Sequence, residues 1–160
     1  WIEEPVDGEN ISLLTEIKNT FNMKVVTGEK QSGLVHFREL IKRNAADIFN
    51  PDISGMGGLI DIIKISNEAS NNGISISPHC WNSMSVSASA MLHVCSSISN
   101  SEKAEIFPDY INFSKKFCEL PFDIVDNKAH INKSAGLGIV IHEDILSQLS
   151  IYSLDEKSND

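Results

Sequence analysis

The sequence has little cysteine, few aromatics and little positive charge, and each shortage narrows what the chain can be. Its three cysteines, Cys80, Cys95 and Cys118, lie 15 and 23 positions apart. No Cys-x-x-Cys and no Cys/His pairing at zinc-finger spacing occurs, which excludes a structural zinc module. An odd, sparse count in an acidic chain suits a reducing cytoplasm, where all three are expected as thiols rather than disulfides. Thirteen Lys plus Arg stand against twenty-two Asp plus Glu, a net charge of −9. No basic run is present to neutralise phosphates, so nucleic acid is not an expected partner. No apolar stretch approaches the roughly 18–20 residues that span a bilayer, so no membrane partner is expected either. Nor do the first residues show the basic start and apolar centre of a signal peptide.

What is present suits a folded domain: 160 residues, 41% hydrophobic and 22% charged, with nine Gly and five Pro. That length ordinarily means one domain, and that composition excludes disordered and collagen-like chains. Short β-branched runs at 1–4, 24–28, 46–50, 74–77 and 104–107 alternate with amphipathic stretches. Ile11, Leu14, Ile17, Lys18 and Phe21 share a helical face, as do Leu34, Phe37, Ile41 and Ala45. Leu59, Ile62, Ile63 and Ile65 form a third face after Gly57-Gly58, and Val86, Ala90, Val94 and Ile98 a fourth after Trp81. Asn71-Asn72-Gly73 ends the third helix with residues that tolerate left-handed backbone. Strand–helix alternation implies a parallel sheet covered by helices, an α/β architecture. After residue 107 the pattern breaks. Val125-Asp126-Asn127-Lys128 reads as a tight turn, Ser134-Ala135-Gly136-Leu137-Gly138 as a second, and 139–141 as a short strand.

Ionisable residues sit at the C-terminal end of each strand in turn. Glu3, Glu29, Asp52, His79 and Glu105 are spaced 26, 23, 27 and 26 positions apart, one βα unit per step. In a parallel barrel those strand ends converge on one mouth, where catalytic groups are found. Carboxylates from neighbouring strands, Glu3 and Glu29, suit a hard divalent cation such as Mg²⁺. Asp52 beside His79 would orient the imidazole for acid–base work. Glu105 would accept a hydrogen bond or carry a proton. Glu4 should point away from Glu3 by strand alternation, as an outward or bottom-layer residue. His36, His93, His130 and His142 fall on helix faces or in the C-terminal section and read as structural.

These residues carry a resemblance. Trp1-Ile2-Glu3-Glu4-Pro5, Thr27-Gly28-Glu29, Asn50-Pro51-Asp52 with Gly57-Gly58, Ser77-Pro78-His79, Ala104-Glu105 and Ala135-Gly136-Leu137-Gly138 occur in that order. Together they resemble the enolase superfamily, and within it the mandelate racemase group, where acid-sugar dehydratases are numerous. The resemblance implies a partial TIM-type (β/α) barrel, strands four to eight, plus a C-terminal segment that would pack on a capping domain. Residues 1–107 would be the second half of the barrel. Residues 108–154 would complete it and touch the capping domain, and 155–160 would be a polar tail. Glu3 and Glu29 resemble the Mg²⁺ ligands of the fourth and fifth strands. Asp52 and His79 resemble the dyad of the sixth and seventh, with His79 as general acid/base. Glu105 resembles the eighth-strand glutamate that meets the substrate carboxylate. The muconate-lactonizing group instead carries a lysine on the sixth strand, which Asp52 followed by His79 argues against.

The implied chemistry is removal of the proton next to a carboxylate, with Mg²⁺ stabilising the enediolate that forms. A dehydratase then loses the β-hydroxyl of a sugar acid; a racemase or epimerase returns a proton to the opposite face of a 2-hydroxy acid. A non-catalytic half-barrel is a third reading. A barrel of this type needs on the order of 250 residues. The chain is therefore expected to be the C-terminal part of a longer enzyme, a homo-oligomer when complete and inactive as this piece. The third metal ligand and the base opposite His79 would lie upstream of Trp1.

Overall fold

The computed structural model describes residues 1–80 and 84–149. Trp81 and the tail 155–160 lie outside the described residues. Four short parallel strands, β1 (Ile2–Glu3), β2 (Val25–Thr27), β3 (Ile48–Phe49) and β4 (Ser75–Ile76), pair in chain order. A helix follows each: α1 (Ile11–Thr20), α2 (Leu34–Lys42), α3 (Leu59–Ser70) and α4 (Ser85–Ser97). Right-handed crossovers between neighbouring strands taken in order place every helix on one side of the sheet. The result is an arc of a (β/α) barrel and not a doubly wound sheet.

Local chemistry sets the boundaries. Asn10 caps α1, its Oδ1 accepting from the Leu13 amide at 3.2 Å. Glycines with positive φ, Gly33 at 77° and Gly58 at 103°, turn the chain into α2 and α3. As expected, α3 ends at Asn71-Asn72-Gly73, where Gly73 has φ 70° and Ile74 donates back to the Ala69 carbonyl at 3.0 Å.

The core lies between sheet and helices. Val25, Val26 and Thr27 are all buried, as befits a parallel strand covered on both faces. Phe37 of α2 packs edge-on against Phe49 of β3, ring centroids 5.1 Å apart. Two expected faces are corrected. Phe21 is 59% exposed, because it sits after α1 in extended backbone and leaves the helical period. Val86 is 51% exposed; Ala90 and Val94 of the expected α4 face are buried, and Ala88, Met91 and Leu92 join them. The small residues around Val86 left that face under-determined in the sequence. Lys18 does belong to the inner face of α1. Its ammonium reaches Asp47 at 3.1 Å, Asn44 Oδ1 at 2.7 Å and the Ala46 carbonyl at 2.9 Å. Asp47 in turn accepts from the Val25 amide at 2.9 Å, so α1 is tied to the base of β2 and β3.

The fifth strand expected at 104–107 is not formed. Pairing with β4 is reduced to one bridge, Ile76 opposite Ser101. Ile76 donates to the Asn100 carbonyl at 2.9 Å and accepts from the Glu102 amide at 2.8 Å. The Asn100 side chain anchors this segment from the other side, donating to the Ile74 carbonyl at 2.9 Å and accepting from Ser66 Oγ at 2.6 Å. Ala104 and Glu105 thus follow the bridge as irregular backbone.

Beyond it come α5 (Pro108–Ser114), β5 (Cys118–Glu119), β6 (Phe122–Val125), β7 (Lys128–Ile131), β8 (Val140–Ile141) and α6 (Glu143–Leu149). β5 pairs antiparallel with β8, close to the short strand expected at 139–141. β6 and β7 form a hairpin whose turn residues, Asp126 and Asn127, have φ 50° and 59°, the signature of a type I′ turn. The second expected turn closes with Gly138 donating to the Ala135 carbonyl at 3.1 Å. None of the three cysteines forms a disulfide.

One glycine joins fold to site. Gly28, with φ 135°, lets β2 turn towards Glu29 while passing close to Phe37, where a β-carbon would fall 2.9 Å from Cε1. Gly28→Ala is expected to lower stability by about 1–3 kcal/mol, read as a fall in urea midpoint at constant slope.

Candidate active site

The C-terminal ends of the strands carry the site. Glu3 closes β1, and its Oε1 accepts from Asn50 Nδ2 at 2.8 Å. Glu29 follows Gly28 at the end of β2. Asp52 follows Asn50-Pro51 at the end of β3, where its Oδ1 accepts from the Ser54 amide at 2.7 Å and pins the carboxylate. Its Oδ2 lies 2.9 Å from Nδ1 of His79, which follows β4. An acceptor-only carboxylate at Nδ1 holds a proton there, leaving Nε2 as the exchangeable atom. Nε2 faces Glu29 Oε2 at 3.4 Å and Glu105 Oε2 at 3.9 Å. Glu105 is held by the chain after the histidine, accepting from the Cys80 amide at 2.7 Å.

All five residues singled out in the sequence therefore meet at one mouth. Glu3, His79 and Glu105 line the same cavity, of about 220 Å³, with Asn50 and Lys103 in its wall. Carboxylates gather here at a cost. Burial pushes the Glu29 carboxyl above its ordinary value, Glu4 and Glu3 add to that rise, and His79 and Lys30 oppose it.

Glu4 departs from the expected outward placement. Its φ is 41°, so strand alternation ends at Glu3. The side chain turns to the end of β2, Oε1 accepting from Thr27 Oγ1 and the Gly28 amide, both at 2.9 Å. Asn50, 1% exposed, is the other participant that sequence reasoning passed over. The signal was there: a buried amide after Ile48-Phe49 requires a polar partner.

The donor chemistry at Glu3 and Glu29 fits a hard cation: carboxylate oxygens from adjacent strand ends, one of them raised by burial among like charges. Two do not complete a shell, and among the described residues no three His, Cys, Asp or Glu side chains converge on one metal position.

Comparison with known proteins places this geometry. The model of the family "Enolase C-terminal domain-like" matches residues 1–145. N-succinyl-L-Arg/Lys racemase of Bacillus cereus is 28% identical over 152 residues, covering 95% of this chain and 40% of the racemase. D-galactonate dehydratase of Klebsiella pneumoniae is 25% identical over 170 residues, covering 94% of this chain and 41% of that enzyme. A crystal structure of an enolase from environmental genome shotgun sequencing of the Sargasso Sea superposes with a TM-score of 0.93. It is 96% identical and covers 98% of this chain and 42% of that one. The chain thus spans about two fifths of the length of the curated relatives it matches. With strands in barrel order and the family model matched over most of its length, the chain belongs to the enolase superfamily, as a portion of its C-terminal α/β barrel domain.

Proposed function

We propose that this chain supplies strands four to seven, and the bridged segment in the place of the eighth, of the barrel of a Mg²⁺-dependent dehydratase acting on a sugar acid. The observation that carries the reading is the Asp52–His79 pair at 2.9 Å, with Nε2 turned towards Glu29 and Glu105. Glu3 and Glu29 would hold the cation. When bound, Mg²⁺ supplies positive charge where the substrate carboxylate gains negative charge. Asp52 fixes the ring through Nδ1, so that Nε2 points into the cavity. A base supplied by the rest of the barrel, opposite His79, would take the proton next to the carboxylate; the C–H electron pair forms a C=C bond and the β C–O bond breaks. His79 gives its Nε2 proton to that oxygen, which leaves as water, and the enol product becomes a 2-keto acid. Glu105 would face the substrate carboxylate, sharing with it the proton that a hydrogen bond between two carboxyl groups requires, its own position set by the Cys80 amide.

Both a dehydratase and a racemase stand among the relatives, and the strand ends serve either outcome. A racemase or epimerase of 2-hydroxy acids is therefore the second reading, favoured by the match to the Bacillus cereus enzyme. The test is a screen of the full-length protein carrying this sequence against sugar acids with Mg²⁺. A 2-keto acid from one or more of them supports the dehydratase; configurational inversion without keto acid supports the alternative. Asp52→Asn is expected to lower kcat roughly 10²-fold or more in the full-length protein while leaving Mg²⁺ affinity unchanged. Isothermal titration beside steady-state kinetics checks both parts.

A further inference from the structure

Just after the apolar pair of β3, Ile48-Phe49, the chain places a carboxamide. Asn50 is 1% exposed, and its amide donates to the Thr27 carbonyl at 3.1 Å, so the backbone is locked into the sheet. The side chain lines the cavity under Glu3 and His79. Nδ2 donates to Glu3 Oε1 at 2.8 Å, and because a carboxylate can only accept here, the orientation of the amide is fixed. Oδ1 then faces away from Glu3, buried and with no hydrogen-bond partner. A buried orphan acceptor is ordinarily costly, so an unpartnered Oδ1 on a residue of the cavity wall calls for a partner.

We propose that Asn50 is a positioning residue for the cation site: Nδ2 holds one oxygen of Glu3 so that the other is presented to the metal, and Oδ1 accepts from an O–H group brought into the cavity. This rests on the reading of Glu3 as a metal ligand. The two halves of the amide act in opposite directions. By occupying Oε1, Nδ2 orients the ligand, as outer groups around metal sites do. By offering an unsatisfied acceptor, Oδ1 favours an O–H donor, from either a water on the cation or a hydroxyl of the substrate. A carboxylate at this position would repel Glu3, and an alkyl group would leave it without a fixed direction.

The experiment is Mn²⁺ binding to the full-length protein, followed by the loss of free-ion paramagnetic signal, for wild type, Asn50→Ala and Ser66→Ala. Ser66→Ala removes a buried hydrogen bond to Asn100, remote from Glu3, and serves as the structural control. Asn50→Ala is expected to weaken Mn²⁺ about 10–100-fold, with Ser66→Ala within twofold of wild type. Circular dichroism establishes that the variants are folded; if Asn50→Ala is not, Asn50→Ser supplies the same loss of the donor to Glu3 in a smaller polar side chain. Mn²⁺ affinity unchanged in a folded Asn50 variant overturns the positioning role and leaves the metal reading intact. No Mn²⁺ binding by wild type overturns both. The Oδ1 arm is separated by KM: a substrate-hydroxyl partner raises KM for a hydroxylated acid at saturating metal, whereas a water partner leaves that KM unchanged and confines the effect to the metal.

Discussion

His79→Asn in the full-length protein is expected to reduce turnover by roughly 10²–10⁴-fold, to near the limit of detection, while divalent-cation affinity stays within a few-fold of wild type. Asparagine can keep a hydrogen bond to Asp52 but has no group that exchanges a proton near neutral pH. The ring's geometry makes the outcome specific. Nδ1 is committed to Asp52 at 2.9 Å, so the lost function is that of Nε2 alone. Kinetics and metal titration on one preparation measure it. A parallel loss of metal affinity would mean that His79 is a ligand and that its assigned role is wrong.

Glu29→Gln should have an effect of similar size by a different route, with opposite signs for stability in the two metal states. Burial and the neighbouring Glu4 and Glu3 raise the Glu29 carboxyl above its ordinary value in the fold. The folded state therefore prefers the protonated form. Without metal, the ionised side chain weakens the fold as pH rises from the ordinary glutamate range through the raised value, and the cost is complete above that value. Glutamine mimics the neutral form, so metal-free Glu29→Gln is expected to melt at or above wild type near pH 7. Added Mg²⁺ should reverse the order, because binding stabilises only the protein that retains the ligand. Metal affinity should fall by at least about 100-fold, beyond the range of outer-shell substitutions. Thermal melts with and without Mg²⁺ read both signs.

The strand ends were legible because one βα unit of nearly constant length separates them. Glu3, Glu29, Asp52, His79 and Glu105 needed only that step and a parallel sheet to be placed at one mouth. The helices were legible where large apolar residues marked a face, as with Leu34 and Phe37. They were less so in α4, where Ser and Ala around Val86 carry almost no directional signal. Glu4 was misplaced because alternation holds only while the backbone stays extended, and φ 41° ends it. The strand at 104–107 gave way to a bridge at Ser101 because Asn100 fixes the chain onto β4 and α3 earlier than the apolar pattern suggests. The strands β6 and β7 were hidden by their exposure: Ile124, Val125, Lys128 and His130 face solvent, and only their turn announced itself.

The central claim is that this mouth removes a proton next to a carboxylate and expels water, with a divalent cation held by Glu3 and Glu29. Its most direct measurement is a nuclear magnetic resonance time course of the full-length protein with a panel of sugar acids in D₂O, with Mg²⁺ or with chelator. The account predicts a 2-keto acid from at least one substrate, carrying deuterium at the carbon next to the carbonyl. It also predicts that the product disappears with chelator and in His79→Asn. Keto acid formed undiminished in chelator, or no change in any sugar acid with Mg²⁺ present, would contradict it.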